Sequence, residues 1–373
     1  MELLWMVRPL LGYLRLYGIA LQTPEMTKGA RRMMLFFSTI NLIYLIIAPF
    51  LMIQYSVWYS VPYSEQTFLH IIVYFGILIN HASGIIEMLT TKEKQFNFWN
   101  TLLAIEKTFL KDERNKIEEA NRKLKKKLTW RLCILSIFAF SCKMILIVTN
   151  RVLLLDPNWV ATEVISLWAQ ECVRLNFFTH FIFVEILRMH VELYNEKTKD
   201  ITSIARKINE KALLSELNIL KIRHSLIWKL NRHLNSFFQW AQTLNCLLYF
   251  FHITNLTYWI YNGINTGKFE NRECRMLVIF TLSVITLINL IYSCEMLKEA
   301  TNKTLPLIHE ISEQVLNPFD VDVHDAVMAI SMQIHHEKIF ITYGGFFNVD
   351  MTLLTTISAT ITTYLVIFIQ FIG

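Results

Sequence analysis

Charged residues are scarce in this chain of 373 residues: Asp, Glu, Lys and Arg make up 18% of it, whereas hydrophobic residues make up 54%. A soluble domain is about 25% charged, so a water-soluble globule of this length would have too little polar surface to cover itself. The composition excludes a cytosolic or secreted protein and indicates a membrane protein. No phosphate-binding loop, His-Glu-x-x-His motif or Ser/His/Asp order stands out, so we do not expect an enzyme.

Cysteine is also sparse, with six residues and no Cys-x-x-Cys pair or Cys/His cluster at zinc spacing. The sequence therefore predicts no disulfide framework, no metal site and no cofactor. A cleavable signal peptide is not expected either, because Glu2, Arg8 and Arg15 interrupt any apolar core at the amino terminus.

Long apolar runs are what the chain has in abundance. A membrane-spanning helix needs about 20 mainly apolar residues, and seven segments qualify: 33–53, 68–89, 132–149, 160–187, 237–261, 276–297 and 351–373. The fourth segment is the weakest, since it carries several charges, and a six-span alternative omits it. The predicted fold is all-α, with seven transmembrane helices.

The basic residues orient these spans. Of the 36 lysines and arginines, 30 fall in one set of alternating segments and four in the other, while Lys143 and Arg174 lie within predicted spans. Basic residues mark the cytoplasmic side, so we expect a cytoplasmic amino terminus and an extracellular carboxyl terminus. The net charge of +6 is thereby assigned to membrane topology and not to nucleic acid. Omitting span 4 would place ten basic residues outside, which favours seven spans.

The segments between spans predict helical extensions on the cytoplasmic side. Residues 95–131 lack glycine and proline and read as one helix. In 213–238, apolar residues recur at spacings of three, four or seven and form a single stripe that needs a partner. We expect that partner at 307–316 or 327–334, and hence a cytoplasmic helical bundle.

The C-terminal residues carry the most specific pattern. Thr363 and Tyr364 are followed by five apolar residues and then by Gln370 and Phe371. This pattern resembles the signature of the insect gustatory receptors, where it lies in the seventh span. Segment 345–354, with glycine, aromatic residues, an acidic residue and paired leucines, is similar to the block that precedes it in that family.

The resemblance implies a ligand-gated, non-selective cation channel of four subunits. In that family the seventh spans surround the pore, the cytoplasmic bundle holds the subunits together, and a ligand pocket opens to the outside among the other spans. The implied partners are a small-molecule tastant, the lipid bilayer, and identical or different gustatory receptor subunits in a homo- or heterotetramer. The implied location is the plasma membrane of chemosensory neurons, with multiple passes.

Span 7 supplies the candidate pore residues. Four copies of Gln370 can form a polar ring at a pore mouth, with Phe371 as an apolar constriction that gates by dewetting. The alternative for Gln370 is a hydrogen bond within its own subunit or at the interface. We expect Tyr364 to pack against a neighbouring span. Hydroxyls at i+4 and i+3 spacing share one face and suit a water-filled path, namely Thr356, Thr360 and Thr363.

Polar and aromatic groups in the outer halves of the spans are the candidates for the ligand pocket. They are His70, Tyr74, Lys143, Trp168, Gln170, Glu171, Arg174, His252, Asn255, Tyr258 and Trp259. Glu171 and Arg174 are three residues apart and can pair, with Lys143 as a competitor. Two alternatives stay open: these charges are structural pairs, and Tyr258 and Trp259 belong to an aromatic interface belt.

Two further carboxylates lie toward the inner ends of their spans. We expect Glu87 and Glu185 to be structural and to meet cytoplasmic lysines or arginines.

Together these features predict a gustatory receptor channel for bitter or other non-sugar tastants. The alternatives are a metabotropic receptor coupled to a G protein, or an odorant-type channel subunit that needs a co-receptor. The expected division is a cytoplasmic N-terminal segment at 1–32, spans 1 to 6 with the pocket and extensions at 33–297, a cytoplasmic anchor at 298–350, and a pore-lining span at 351–373.

Overall fold

The computed structural model describes residues 2–58, 65–109, 113–149, 157–207, 209–265, 267, 271–314 and 321–372. These residues form helices α1 (Glu2–Leu16), α2 (Lys28–Trp58), α3 (Glu65–Thr90), α4 (Lys92–Lys107), α5 (Arg114–Thr149), α6 (Pro157–Ile204), α7 (Glu210–Phe237), α8 (Gln239–Asn265), α9 (Asn271–Asn302), α10 (Thr304–Gln314), α11 (Val321–His336) and α12 (Met351–Ile372). Two short strands, β1 (Thr342–Tyr343) and β2 (Phe347–Asn348), precede α12.

The predicted spans fall in seven of these helices: α2, α3, α5, α6, α8, α9 and α12. Within the described residues, Lys28–Leu51 and Phe280–Gln314 are long and apolar enough by composition to cross a membrane, and Phe75–Thr90 and Met351–Ile367 are shorter apolar helical stretches. The all-α architecture is therefore as the sequence predicts.

Helix α6 is the centre of the molecule. It packs against α2, α3, α5, α7, α9 and α10, and nearly every residue from Ala169 to Leu193 is buried. A helix that is buried all round belongs to a core. This explains why the fourth span has a weak membrane signal: its polar side chains face other helices.

The apolar stripe of α7 is buried along its whole length, from Leu213 through Leu220 and Leu230 to Phe237. Its most extensive partner is α4, followed by α11 and α6, while α10 packs mainly against α6 and α11. We call α4, α7, α10, α11 and the C-terminal half of α6 the extension bundle. The partner at 327–334 is confirmed, because it lies in α11; α4 was missed as a partner.

The prediction of one helix through 95–131 is wrong. Helix α4 ends at Lys107 and α5 begins at Arg114. The reason is that α4 has its own buried face, which includes Phe98, Trp99 and Leu102. Helix α4 packs along α7. Helix α5 instead packs against α1, α6 and α9.

Glu87 and Glu185 are both structural, as predicted, but among the described residues only Glu185 forms the expected ion pairs with basic residues. Glu185 contacts Lys127 at 2.8 Å and Arg188 at 2.9 Å. Glu87 accepts hydrogen bonds from the backbone amides of Trp240 at 2.6 Å and Ala241 at 2.8 Å. These amides start α8 and have no partner within their own helix, so Glu87 caps α8 from a neighbouring helix.

A tight hairpin leads into α12. Strands β1 and β2 pair in antiparallel register, with Tyr343 opposite Phe347. Gly344 and Gly345 in the intervening turn have φ values of +60° and +73°, a conformation that side chains with a Cβ rarely adopt. The glycine-aromatic segment of the sequence is thus a turn that sets the start of the last helix.

Candidate ligand cavity and pore helix

A cavity of about 60 Å³ lies among α3, α5, α6, α8 and α9. Its described lining consists of Ile77, Asn80, Cys142, Leu167, Gln170, Glu171, Val173, Arg174, Leu248, Tyr249, His252, Val278, Leu282 and Ser283. Such a volume holds a few water molecules. A larger ligand must therefore move the cavity walls apart.

An ion pair occupies one wall of this cavity. Arg174 Nε donates to Glu171 Oε2 at 3.1 Å, and a second contact joins Arg174 Nη2 to Glu171 Oε1. The Arg174 side chain is only 4% exposed and that of Glu171 12%. Burial of two opposite charges is tolerated here because they neutralise each other.

Buried amides continue from the cavity along α6 and α8. Gln242 Nε2 donates to Asn176 Oδ1 at 3.3 Å, and Asn245 Nδ2 donates to Gln242 Oε1 at 3.1 Å. Further along α6, the hydroxyl of Tyr343 and Nδ1 of His180 form a buried hydrogen bond at 3.1 Å. Buried polar contacts therefore occur along α6 both near the cavity and at the hairpin before α12.

The predicted pocket residues divide into three groups. Gln170, Glu171, Arg174 and His252 line the cavity. The remaining described candidates lie elsewhere, namely Trp168, Asn255, Tyr258 and Trp259. The side chains of His70, Tyr74 and Lys143 lie outside the described part of the structure.

The candidates away from the cavity have structural partners. Trp168 Nε1 donates to Asn41 Oδ1 at 3.0 Å and its ring stacks on Tyr17. Trp259 Nε1 donates to Asn255 Oδ1 at 3.1 Å. These side chains lie on helix faces that point away from the cavity. The sequence predicts their depth in the membrane but not the direction in which they point.

Several lining residues were missed from the sequence. Asn80, Tyr249 and Ser283 line the cavity, but only residues in the outer halves of spans 2 to 5 were taken as candidates. Asn80 offered a signal, because an amide in a long apolar helix needs a partner. The apolar lining offered none, since Leu248 or Val278 looks like any lipid-facing residue.

Helix α12 has two different faces. Ile357 is buried, and Leu354 and Ile361 are partly buried against the core; the helix packs on α8 and α9. The opposite face carries Thr356, Thr363 and Gln370, which are exposed in the single chain, and Thr360, which is half-buried. The side chain of Phe371 lies outside the described residues.

The threonine hydroxyls on the exposed face all donate back into their own helix. Thr356 donates to the Thr352 carbonyl at 2.9 Å, Thr360 to the Thr356 carbonyl at 2.8 Å, and Thr363 to the Ala359 carbonyl at 3.1 Å. With its proton engaged, each hydroxyl retains lone pairs that can accept. This face therefore presents acceptor oxygens, which suit cations better than anions. Tyr364 lies to one side, with its ring 5.9 Å from that of Phe250 on α8.

The start of α12 is fixed to α9. Lys298 Nζ contacts Asp350 Oδ2 at 2.8 Å, and the amide of Met351 donates to Glu295 Oε2 at 2.9 Å. Asp350 Oδ1 accepts from the amide of Thr352 at 3.0 Å. These contacts tie the N-terminus of α12 to α9.

An ion network joins the extension bundle. Lys197 Nζ lies 2.6 Å from Glu113 Oε1 and 2.9 Å from Glu216 Oε2, and Arg223 Nη2 lies 3.2 Å from Glu113 Oε2. Arg223 also donates to the Thr108 carbonyl at 3.0 Å. Burial alone would raise the pKa of Glu113, but Lys197 and Arg223 outweigh it and hold that pKa below its usual value.

Comparison with known proteins gives this arrangement its context. The family model described as 7tm chemosensory receptor matches residues 7–372. The chain belongs to this family. It is 20% identical over 328 residues to a Drosophila melanogaster protein that carries the name gustatory receptor 2a. This match covers 79% of this chain and 76% of that protein. It is also 27% identical over 185 residues to one named gustatory receptor 28a, over 47% of this chain and 39% of that protein.

Solved structures show that this chemosensory receptor has an insect olfactory receptor fold. The olfactory receptor OR5 from Machilis hrabei, solved in complex with eugenol, superposes with a TM-score of 0.71 at 14% identity, covering 98% of this chain and 97% of OR5. A second structure of OR5 gives 0.73 at the same identity and coverage. The resemblance to the insect gustatory and odorant receptors is thereby confirmed.

Proposed function

We propose that this chemosensory receptor is a subunit of a ligand-gated, non-selective cation channel in the plasma membrane of chemosensory neurons. The two faces of α12 carry the proposal. A row of hydroxyls and an amide on an apolar helix needs either another chain or water as its neighbour. Four copies of α12 around an axis supply both, with the threonine oxygens facing a water-filled path.

The narrowest part of this path is assigned to Gln370 and Phe371. Gln370 shares the exposed face of Thr356 and Thr363 at helical spacing and is exposed in the single chain. Four amides at one level form a polar collar, and four phenylalanine rings next to it close the path to water at rest.

The extension bundle provides the second contact between subunits in the proposed homo- or heterotetramer. Val321, Met328 and Met332 lie on one side of α11 and are 64%, 46% and 59% exposed. A row of exposed apolar side chains on a charged helical bundle marks a protein contact. The excess of basic residues supports a cytoplasmic location for this bundle, the anchor segment 298–350 and the amino terminus.

The proposed ligand is a small non-sugar tastant, including bitter compounds, that binds in the cavity. Ile77, Leu248 and Leu282 make part of the wall apolar, whereas a sugar requires hydrogen-bonding groups around its entire ring. The eugenol complex of OR5 supports a small organic ligand for this fold.

Gating follows from the contacts of α6 and α9. A ligand that widens the cavity displaces α6 and α9, which bear on α12 through the His180–Tyr343 hydrogen bond and the Lys298–Asp350 ion pair. The ligand opens the pore to the extent that it binds the widened state more tightly.

Recording of ligand-evoked currents tests this function. Cells that express the chain, with and without other gustatory receptors, should pass cation current in response to members of a ligand panel. Gln370→Ala should change gating or permeation while surface expression stays normal. A surface-expressed Gln370→Ala variant with unchanged gating and permeation would show that the collar is assigned to the wrong residue.

The metabotropic alternative is separated by sidedness. An epitope tag fused after Gly373 should be accessible to antibody on intact cells, because the last helix ends outside in this proposal. A receptor coupled to a G protein would hide the tag in the cytoplasm.

A further inference from the structure

Unused hydrogen-bonding groups occur in the lining of the cavity. Asn80 is 1% exposed, and neither Nδ2 nor Oδ1 of its amide has a hydrogen-bond partner among the described residues. Arg174 Nη1 is likewise buried without a partner in the described part of the chain. Buried polar groups normally have hydrogen-bond partners, and a buried group without a partner destabilises the folded protein.

The two residues differ in how they are positioned. Arg174 is fixed by its two contacts to Glu171, which leave Nη1 as a donor. Asn80 lies on α3 near the close approach of α3 and α6 at Gly84. Waters in the cavity can serve these groups at rest, so a ligand that displaces the waters must reproduce their hydrogen bonds or lose affinity.

The charge of the wall restricts the ligand further. Glu171 and Arg174 pair with each other, so the formal charges of the described acidic and basic lining residues cancel. Among the described lining residues, a charged ligand would meet no unpaired charge of opposite sign, and it would lose its hydration. A neutral molecule avoids this cost and still offers acceptors and donors.

We propose that this cavity, taken as the ligand site of the proposed receptor, selects neutral, mainly apolar small molecules that carry a carbonyl beside an N–H or O–H donor. The side-chain amide of Asn80 forms hydrogen bonds with both the carbonyl and the donor of the ligand. Arg174 Nη1 donates a hydrogen bond to an acceptor oxygen of the ligand. Asn80 and Arg174 are thereby specificity-determining residues.

Four compounds that share a fused six- and five-membered ring system test this chemistry. Oxindole offers a carbonyl and an adjacent N–H, 2-indanone offers a carbonyl only, indane offers neither, and 2-aminoindane is a cation at neutral pH. Binding is measured on the purified full chain in detergent by ligand-induced thermal stabilisation. Oxindole should bind about ten-fold or more tightly than indane, with 2-indanone between them and 2-aminoindane weakest.

A matched pair of asparagines attributes the effect. Asn80→Leu should remove the preference for oxindole over indane and keep indane binding. Asn121 in α5 is equally buried, both atoms of its amide also lack partners among the described residues, and it is absent from the described cavity lining; Asn121→Leu should keep the preference. If Asn80→Leu does not fold, the ligand series on the unmodified chain still decides.

Three results would overturn the inference. They are indane or 2-aminoindane binding as tightly as oxindole, an oxindole preference that survives in folded Asn80→Leu, and no oxindole binding at millimolar concentration. Because the readout is binding, a chain that prefers oxindole but passes no ligand-evoked current supports this inference and contradicts the channel proposal. A chain that passes ligand-evoked current without preferring oxindole supports the channel proposal and contradicts this inference.

Discussion

Glu87 shows how a single carboxylate serves the fold in a way that its sequence context hides. It lies on α3 and accepts hydrogen bonds from two backbone amides that begin α8. The first amides of a helix have no partner inside it, and a nearby carboxylate meets both this need and the helix dipole. A cap supplied from another helix also fixes how α3 and α8 sit together.

Removal of this cap should destabilise the receptor. Glu87→Ala leaves the amides of Trp240 and Ala241 without their acceptor and should lower the free energy of unfolding by about 1–2 kcal/mol. The measurement is the midpoint of thermal unfolding of the purified chain in detergent. Glu310→Gln, a change at an exposed glutamate on α10, is the control and should leave the midpoint unaltered. Equal midpoints for both variants would refute the capping role.

Glu113 makes the stability of the extension bundle depend on acid. The pKa of Glu113 is lower in the folded protein than its ordinary value, so its ionised form stabilises the fold. This stabilisation is complete above the unfolded pKa of about 4.3 and is lost as the pH falls through the lower folded value.

Titration of thermal stability detects this carboxylate. Between neutral pH and about pH 4, Glu113→Gln should have a lower unfolding midpoint than the unmodified chain. The difference should shrink as the pH falls further, because protonation of Glu113 removes the same charge. A constant gap between Glu113→Gln and the unmodified chain at every pH would contradict the assigned pKa.

At the scale of helices, Gly84 on α3 lies directly against the side chain of Asn176 on α6. A Cβ on Gly84 would collide with Nδ2 of Asn176 on α6. An alanine at this position would therefore have to displace the Asn176 side chain, whose Oδ1 accepts a hydrogen bond from Gln242 Nε2 at 3.3 Å.

Gly84→Ala should push the Asn176 side chain out of its buried position. We expect a loss of about 1–3 kcal/mol in the free energy of unfolding, as for other overpacked sites. The matched control is Gly29→Ala on α2, where a Cβ meets nothing within 4 Å and alanine favours the helix by up to about 1 kcal/mol. Thermal unfolding of the two variants should move in opposite directions, and a stabilised Gly84→Ala would disprove the steric account.

The helices also show how far the sequence can be interpreted. The stripe of α7 predicts which face is buried, because the spacing of Leu213, Leu220 and Leu230 is a local property. What covers that face depends on the tertiary fold, and the principal partner α4 was missed for this reason. The break between α4 and α5 carries no glycine or proline signal, and packing of α4 on α7 determines it.

The candidate site was predictable to a similar degree. Polar residues in apolar helices identified Glu171, Arg174 and His252 in the cavity wall. Trp168 and Trp259 were grouped with them by depth, but rotation around the helix axis points them elsewhere. Asn80 was overlooked because it lies deeper, although it has the same chemical signal.

At the scale of the whole molecule, one asymmetry accounts for the proposed activity. The chain buries the apolar face of α12 against α8 and α9. Within a single copy, it leaves exposed the face that carries Thr356, Thr363 and Gln370, which we call the threonine face. In the proposed channel, assembly around α12 turns this face into a path lined with acceptor oxygens, and ligand binding in the cavity controls that path through the other helices.

Cysteine accessibility in α12 is the most direct test of this claim. Thr363 and Thr362 are adjacent, both exposed in the single chain and both bonded back to their own helix, but they face about 100° apart. In a variant with Thr363→Cys, a positively charged thiol reagent should block ligand-evoked current, whereas Thr362→Cys should respond as the unmodified chain does. Block at position 362 with none at 363 would contradict the account, because the threonine face would then not line the pore.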